Sequence, residues 1–233
     1  IEAQRAHYEE VVFPALAKQG FERDTLQMAW SFTTGSKEGT TGRSVWMRDD
    51  ALERLDRDGA SYVIETVIES DCSETGVTIG RSIEGTISVP VYLNEWDLGS
   101  MLTRDADGWP YYNGQADAPF LLNVPCTLLD DPRPARVIQY GHGLFAERDE
   151  VHDEYLGQLA QENGFILMAM GWTGMTLRDS PTIALMLAKD PTDFPMIPER
   201  VMQSYVEWIY AARVVQGVMT QDDALIVDGQ SLV

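Results

Sequence analysis

The sequence predicts an α/β protein, and three observations lead there. Between Ser61 and Pro90 the chain is rich in Val, Ile and Thr in short runs, which is a β pattern. After "LDDPRPARVIQY" the alternation becomes strand, helix, strand, helix, with connections long enough to join parallel strands. The 233 residues, 44% of them apolar, suffice for one sizeable core. The expected organisation is a β-rich portion with flanking helices over 1–130, then the first βαβα part of a parallel core over 131–233. Pro132 and Pro134 mark the change. Both portions can contribute to one sheet.

The elements follow in order. Ala6, Val11, Val12 and Leu16 have helical spacing within Glu2 to Gln19, with a break or kink at Pro14. "LQMAWSFT", Leu26 to Thr33, alternates as a strand does, and Met47, Ala51, Leu52 and Leu55 mark one face of a helix from Thr40 to Leu55. "SYVIETVIES" and "VTIGRSIEGTISVP" are strands, the second with bulges or bends expected at Gly80 and Gly85. A hairpin-like pair, "YLNEWDLGSML" and "WPYYNG", flanks "TRDADG", and "APFLLNVP" is another strand. Asp105 and Asp107 suggest a calcium loop, but the spaced oxygens and distant Glu of such a loop do not follow, so a tight turn is expected. Beyond the prolines come a strand Ala135 to Tyr140, a helix Asp149 to Asn163 stopped by Gly164, an apolar strand Phe165 to Met170 and a long helix Ile197 to Val218.

Charge narrows the function classes. Asp and Glu number 37 against 17 Lys and Arg, a net charge of −20, which repels nucleic acid and anionic lipid. Such acidity reads as a solvated surface, with salt adaptation the lesser alternative. No apolar run approaches the roughly 20 residues of a membrane span. Cys72 and Cys126 have no Cys or His at ligand spacing, so no metal is expected, and they can form a disulfide if the protein is exported. The opening "IEAQRAHYEEVVF" shows neither an initiator Met nor a signal pattern and reads as a processed or cut end.

The chemistry concentrates in "VIQYGHGLFAERDE", Val137 to Glu150. Gly141, Gly143 and Ala146 spell G-x-G-x-x-A, a dinucleotide fingerprint. That reading needs a helix starting at the glycines and an acid after the next strand, whereas "LFAERDE" intervenes and the strand ends in Met170-Gly171-Trp172. An NAD(P)-dependent oxidoreductase is therefore disfavoured, and no cofactor is expected. The alternative is an oxyanion hole, in which backbone amides stabilise a tetrahedral intermediate by about 3 kcal/mol per donor. Gly141 and Gly143 permit close approach and unusual dihedrals, leaving the amide of Leu144 or Phe145 as donor.

"VIQYGHGLFAERDEV", followed by "NGFILMAMGWTGM" and a long helix, resembles the oxyanion-loop region of bacterial secreted lipases and esterases of the α/β-hydrolase fold. "LQMAWSFTTGS" is similar to the β-rich N-terminal portion of large lipase-like members. The resemblance implies the first half of an α/β-hydrolase sheet, incomplete without a downstream segment, and a secreted or periplasmic location. It matches His142, Gly143 and Leu144 to the oxyanion turn, with His142 organising the turn, and Trp172 and Thr173 to positions beside the pocket, where core packing of Trp172 is the alternative.

No triad is evident in the chain itself. The nearest approach to a G-x-S-x-G elbow is Gly229-Gln230-Ser231-Leu232-Val233, which has Val at the last position and a turn, Asp228-Gly229, where a strand should lead in. His7 and His152 read as solvated residues. The resemblance puts nucleophile, acid and histidine after the long helix, so the expected partner is a downstream polypeptide of the same enzyme, and the expected substrate a small-molecule ester. A non-catalytic binding or assembly subunit of this fold is the alternative.

Overall fold

The computed structural model describes residues 2–233, which fall into two compact units divided at Thr40. In the first unit the expected N-terminal helix forms in three pieces: α1 (Glu2–His7), a π turn (Tyr8–Val12) and α2 (Phe13–Ala17). The kink expected at Pro14 takes the shape of that π turn, because proline lacks an N–H and its ring crowds the carbonyl one turn back. The strand expected at Leu26 to Thr33 does not form. Met28, Trp30 and Phe32 alternate but are 75%, 67% and 76% exposed, and these residues enter no ladder. Alternation gives a chain two faces; a strand also needs a neighbour for its amides and carbonyls.

In the second unit one mixed sheet has the order β1-β2-β3-β5-β4, built from β1 (Tyr62–Glu69), β2 (Ile79–Pro90), β3 (Gln115–Pro125), β4 (Arg136–Tyr140) and β5 (Phe165–Met170). Strands from both sides of residue 130 thus share it. The first four in spatial order pair antiparallel, and β4 lies parallel to β5. The irregularities expected at the two glycines are present: the β2–β3 register shifts across Gly80, and a bulge at Ile64/Thr66 lies opposite Gly85, where a Cβ would stand 2.0 Å from the Val63 carbonyl oxygen. Cys72 and Cys126 form a disulfide that ties the β1–β2 connection to α4 (Cys126–Asp130).

Helices cover both faces of the sheet. Met47 and Ala51 of α3 (Lys37–Asp58) and Val206, Tyr210, Ala211 and Val214 of α7 (Met196–Gln216) join Ile83, Phe120 and Ile166 in the main core. On the other face Leu156 and Ala160 of α5 (Glu154–Asn163) meet Leu121, Leu167 and Ala169. Gly164, at φ 63°, ends α5 in the left-handed conformation that glycine adopts without strain. Buried on both sides, β5 is apolar throughout, as parallel strands in such layers are. At the sheet edge, β4 leaves Ile138 exposed.

The hairpin expected over 92–114 is an irregular loop with a single bridge, Leu93 to Leu102. Thr103 holds it together, its hydroxyl donating to the Tyr92 and Tyr111 carbonyls. The Asp105 carboxylate accepts from the Asp107 and Trp109 amides, which makes "TRDADG" the expected tight turn. Near the C-terminal end, β6 (Ile226–Val227) and β7 (Gln230–Ser231) form a minimal hairpin, with Asp228 and Gly229 at φ 50° and 78° in its turn.

Candidate functional site

The site begins where β4 and β5 end side by side. His142, buried in the turn after β4, accepts the Trp172 amide at Nε2 (2.9 Å), so its proton is on Nδ1, which donates to the Gly143 carbonyl at 2.7 Å. Both ring nitrogens are occupied, Nε2 in joining the two turns and Nδ1 within its own. The imidazole organises backbone and offers no free lone pair to a base role.

Around it each amide has a definite fate. Gly143 N–H donates to Glu150 Oε2 at 2.9 Å, and Phe145 N–H donates to the Met175 carbonyl at 2.9 Å. Phe145 is therefore corrected as an oxyanion donor: its amide is already committed. The Leu144 amide, between them, has no hydrogen-bond partner among the described residues, and the residue is 69% exposed. The backbone that bends is also not the one expected. Gly141 is required for close approach, since a Cβ there would stand 2.5 Å from Trp172 Nε1, but the left-handed residue of the turn is Phe145, at φ 58°. Its side chain packs with Ile183, Met186 and Met196, partly in α6 (Ser180–Lys189), a helix the sequence reading did not include.

Beside this turn a cavity of about 490 Å³ opens at the carboxyl end of β5, walled by Met170, Gly171 and Thr173, by Asp117 to Pro119 of β3 and by the loop at Trp96 to Leu98. Of the residues expected at the site, Thr173 lines it. Trp172 does not: its ring stacks on Trp208 (centroids 4.9 Å apart) and meets Tyr205 edge-on, so core packing is its role. His142, Gly143, Leu144 and Phe145 are also outside its wall.

The chemistry of the cavity wall comes from residues not foreseen. Asp179 and Arg200 form a buried ion pair at 2.8 Å, and Asp179 also accepts from the Gly174 and Thr176 amides and the Thr176 hydroxyl. Arg200 continues to the Asp97 carbonyl and Ser100, which holds the 97–100 loop onto α7. Two α7 turns further on, Glu207 accepts from the Thr173 hydroxyl at 2.8 Å, while its Oε1 has no partner among the described residues. Burial pushes this carboxyl up to about 7, against the opposing pull of Thr173, Gln203 and Arg200. Glu199, Gln203 and Glu207 recur every fourth residue of α7 as a buried polar stripe, of which Glu207 reaches the cavity. That spacing is the sequence signal that could have marked Glu207.

Within the second unit His152 does not line the cavity, its Nδ1 lying 3.4 Å from Asn123; in the first unit His7 Nε2 lies 3.0 Å from Ser31. Ser231 donates its hydroxyl to the Val233 carbonyl within the terminal hairpin. Among the described residues no group of His, Cys, Asp and Glu could hold a metal ion, and no helix is long and apolar enough to cross a membrane. No protein-family model matches the chain. No curated protein matches it either.

Proposed function

We propose that this chain is part of a carboxylic-ester hydrolase, supplying one oxyanion donor, the Leu144 amide, to a nucleophile carried on a strand that adds beside β4. The observation that carries the reading is the unshared Leu144 amide, held at the end of an edge strand while the amides on both sides are bonded. An amide fixed in this way costs no reorganisation when charge develops in front of it, which is what an oxyanion hole requires.

The sheet edge supports the same reading. A parallel strand left half exposed at an edge is unusual, since parallel sheets are ordinarily covered. Ile138 of β4 and Tyr205 and Ile209 of α7 all expose apolar surface. The Leu232 carbonyl accepts from the Ala135 amide, which brings the 225–232 segment to the start of that edge. A strand that continued from there parallel to β4 would end level with the Gly141 to Phe145 turn. A nucleophile elbow at its end would face the Leu144 amide. His142 takes the role of positioning residue, and the disulfide fits an exported protein.

The test is hydrolysis of short p-nitrophenyl esters by the chain joined to the polypeptide that completes its sheet. Turnover that falls by about 100-fold or more in Leu144→Pro, which deletes the donor, is expected. Unchanged turnover in that variant, or no ester hydrolysis by the completed protein, overturns the reading.

A further inference from the structure

The wall of the 490 Å³ cavity is unevenly charged. It presents six carboxyl-bearing residues and three arginines. Asp179 and Arg200 neutralise each other in their ion pair, which leaves five carboxyls against two arginines. Of those two, Arg148 turns one guanidinium nitrogen to Glu84, at 3.4 Å, while its Nε has no partner among the described residues, and Arg178 is exposed. An acidic wall alone would mean only a solvated surface. The second observation is Glu207, 2% exposed, whose Oε1 has no hydrogen-bond partner among the described residues. A buried carboxyl oxygen without a donor is destabilising, and a group that supplies the donor removes that cost.

We infer that this cavity binds a small organic ammonium ion, with Glu207 receiving one of its N–H groups and the rim carboxylates Glu147 and Asp149 drawing it in. An ammonium ion supplies what the wall lacks: a positive charge against the carboxyl excess and a donor for the orphaned oxygen. A carboxylate ligand would add to the negative excess, and an alcohol would satisfy Glu207 while leaving the rim unpaired. Trp96, half exposed at the mouth, adds an aromatic surface of the kind that attracts ammonium ions. The net charge of −20 concentrates cations near the protein before they enter.

Binding is linked to a proton. Empty, the cavity holds Glu207 mostly protonated below about pH 7 because of its burial; the charged groups acting on it are Arg200, which lowers its affinity for a proton, and Asp179, which raises it. An arriving cation favours the ionised carboxyl, so the site exchanges a proton for an ammonium ion and charge is conserved. The inference does not rest on the hydrolase reading, because it is read by binding without turnover.

The experiment is titration calorimetry of the purified protein near about pH 6, below the raised Glu207 value, in two buffers of different ionisation heat. The probes are n-butylammonium chloride, n-butanol and sodium butyrate at matched ionic strength. Saturable binding of butylammonium in preference to the other two is expected, with release of most of one proton per site. Glu207→Gln keeps the shape and should abolish the proton release and weaken binding about tenfold or more, the scale of losing a buried charge-assisted hydrogen bond. Glu147→Gln, on the rim, should retain the proton release and weaken binding roughly threefold, as a screened surface charge does. Butyrate or butanol binding as tightly as butylammonium, no saturable heat, or butylammonium binding without proton release overturns the inference. The last three readouts use the unmodified protein, so the decision stands even where Glu207→Gln fails to fold.

Discussion

Asp179 and Glu207 face the same cavity, at 3% and 2% exposure, yet they are held in opposite ways. Asp179 receives five hydrogen bonds, two of them from Arg200. Glu207 receives one, from Thr173. A buried carboxylate surrounded by donors is a structural member whose removal strands its partners; a buried carboxyl with a spare oxygen gives up stability in the empty site and keeps binding capacity in reserve. The difference teaches that burial alone does not mark a functional group. The unfilled valence does.

The largest effect should follow from breaking the satisfied member. Asp179→Ala leaves Arg200 buried without its counter-charge and frees the 97–100 loop, so unfolding free energy should fall by about 3–5 kcal/mol in denaturant titration. A loss near that of Glu207→Gln would erase the contrast between the two carboxyls.

The next effect is a slope with pH. Glu207 binds its proton up to about 7 in the folded protein and to its ordinary 4.5 when unfolded. The folded state therefore holds the extra proton between those values, and the contribution of Glu207 to stability is greatest below about 4.5 and is lost as pH rises through 7, by roughly 3 kcal/mol. Glu207→Gln should flatten that part of the profile and be the more stable protein at pH about 8. A profile that rises over this window in the unmodified protein contradicts the assignment of Glu207 as the unsatisfied group.

The smallest effect sharpens the comparison. Thr173→Val removes the single donor to Glu207 and should cost about 1–2 kcal/mol while moving the carboxyl's titration further upward, read by the pH midpoint of the stability decline. A downward shift would mean that Thr173 does not hold the ionised form.

The same distinction explains what could be read in the sequence. β5, six apolar residues between Gly164 and Gly171, and α7, with its long apolar period, carry their burial in their own composition. The turn at His142 was legible because glycines bracket a polar residue after a strand, although the strained position was Phe145, which no local rule marks. Leu26 to Thr33 shows the converse: its alternation was clear, but a strand depends on a partner that local sequence cannot name. The cavity wall was hidden for that reason too. Arg200, Gln203 and Glu199 are satisfied by backbone at 90–102, about a hundred residues away, so the four-residue spacing of Glu199, Gln203 and Glu207 was visible while their burial was not.

The claim that the nucleophile reaches this site on a strand added beside β4 is tested most directly by mapping a fluorophosphonate adduct. The completed, ester-hydrolysing protein would be inactivated with the reagent, digested and sequenced by mass spectrometry. The account predicts one modified serine, in the segment that pairs with β4, and none within residues 1–233. Modification of Ser231, whose hydroxyl is spent on the Val233 carbonyl, or inactivation without any modified serine, would contradict it.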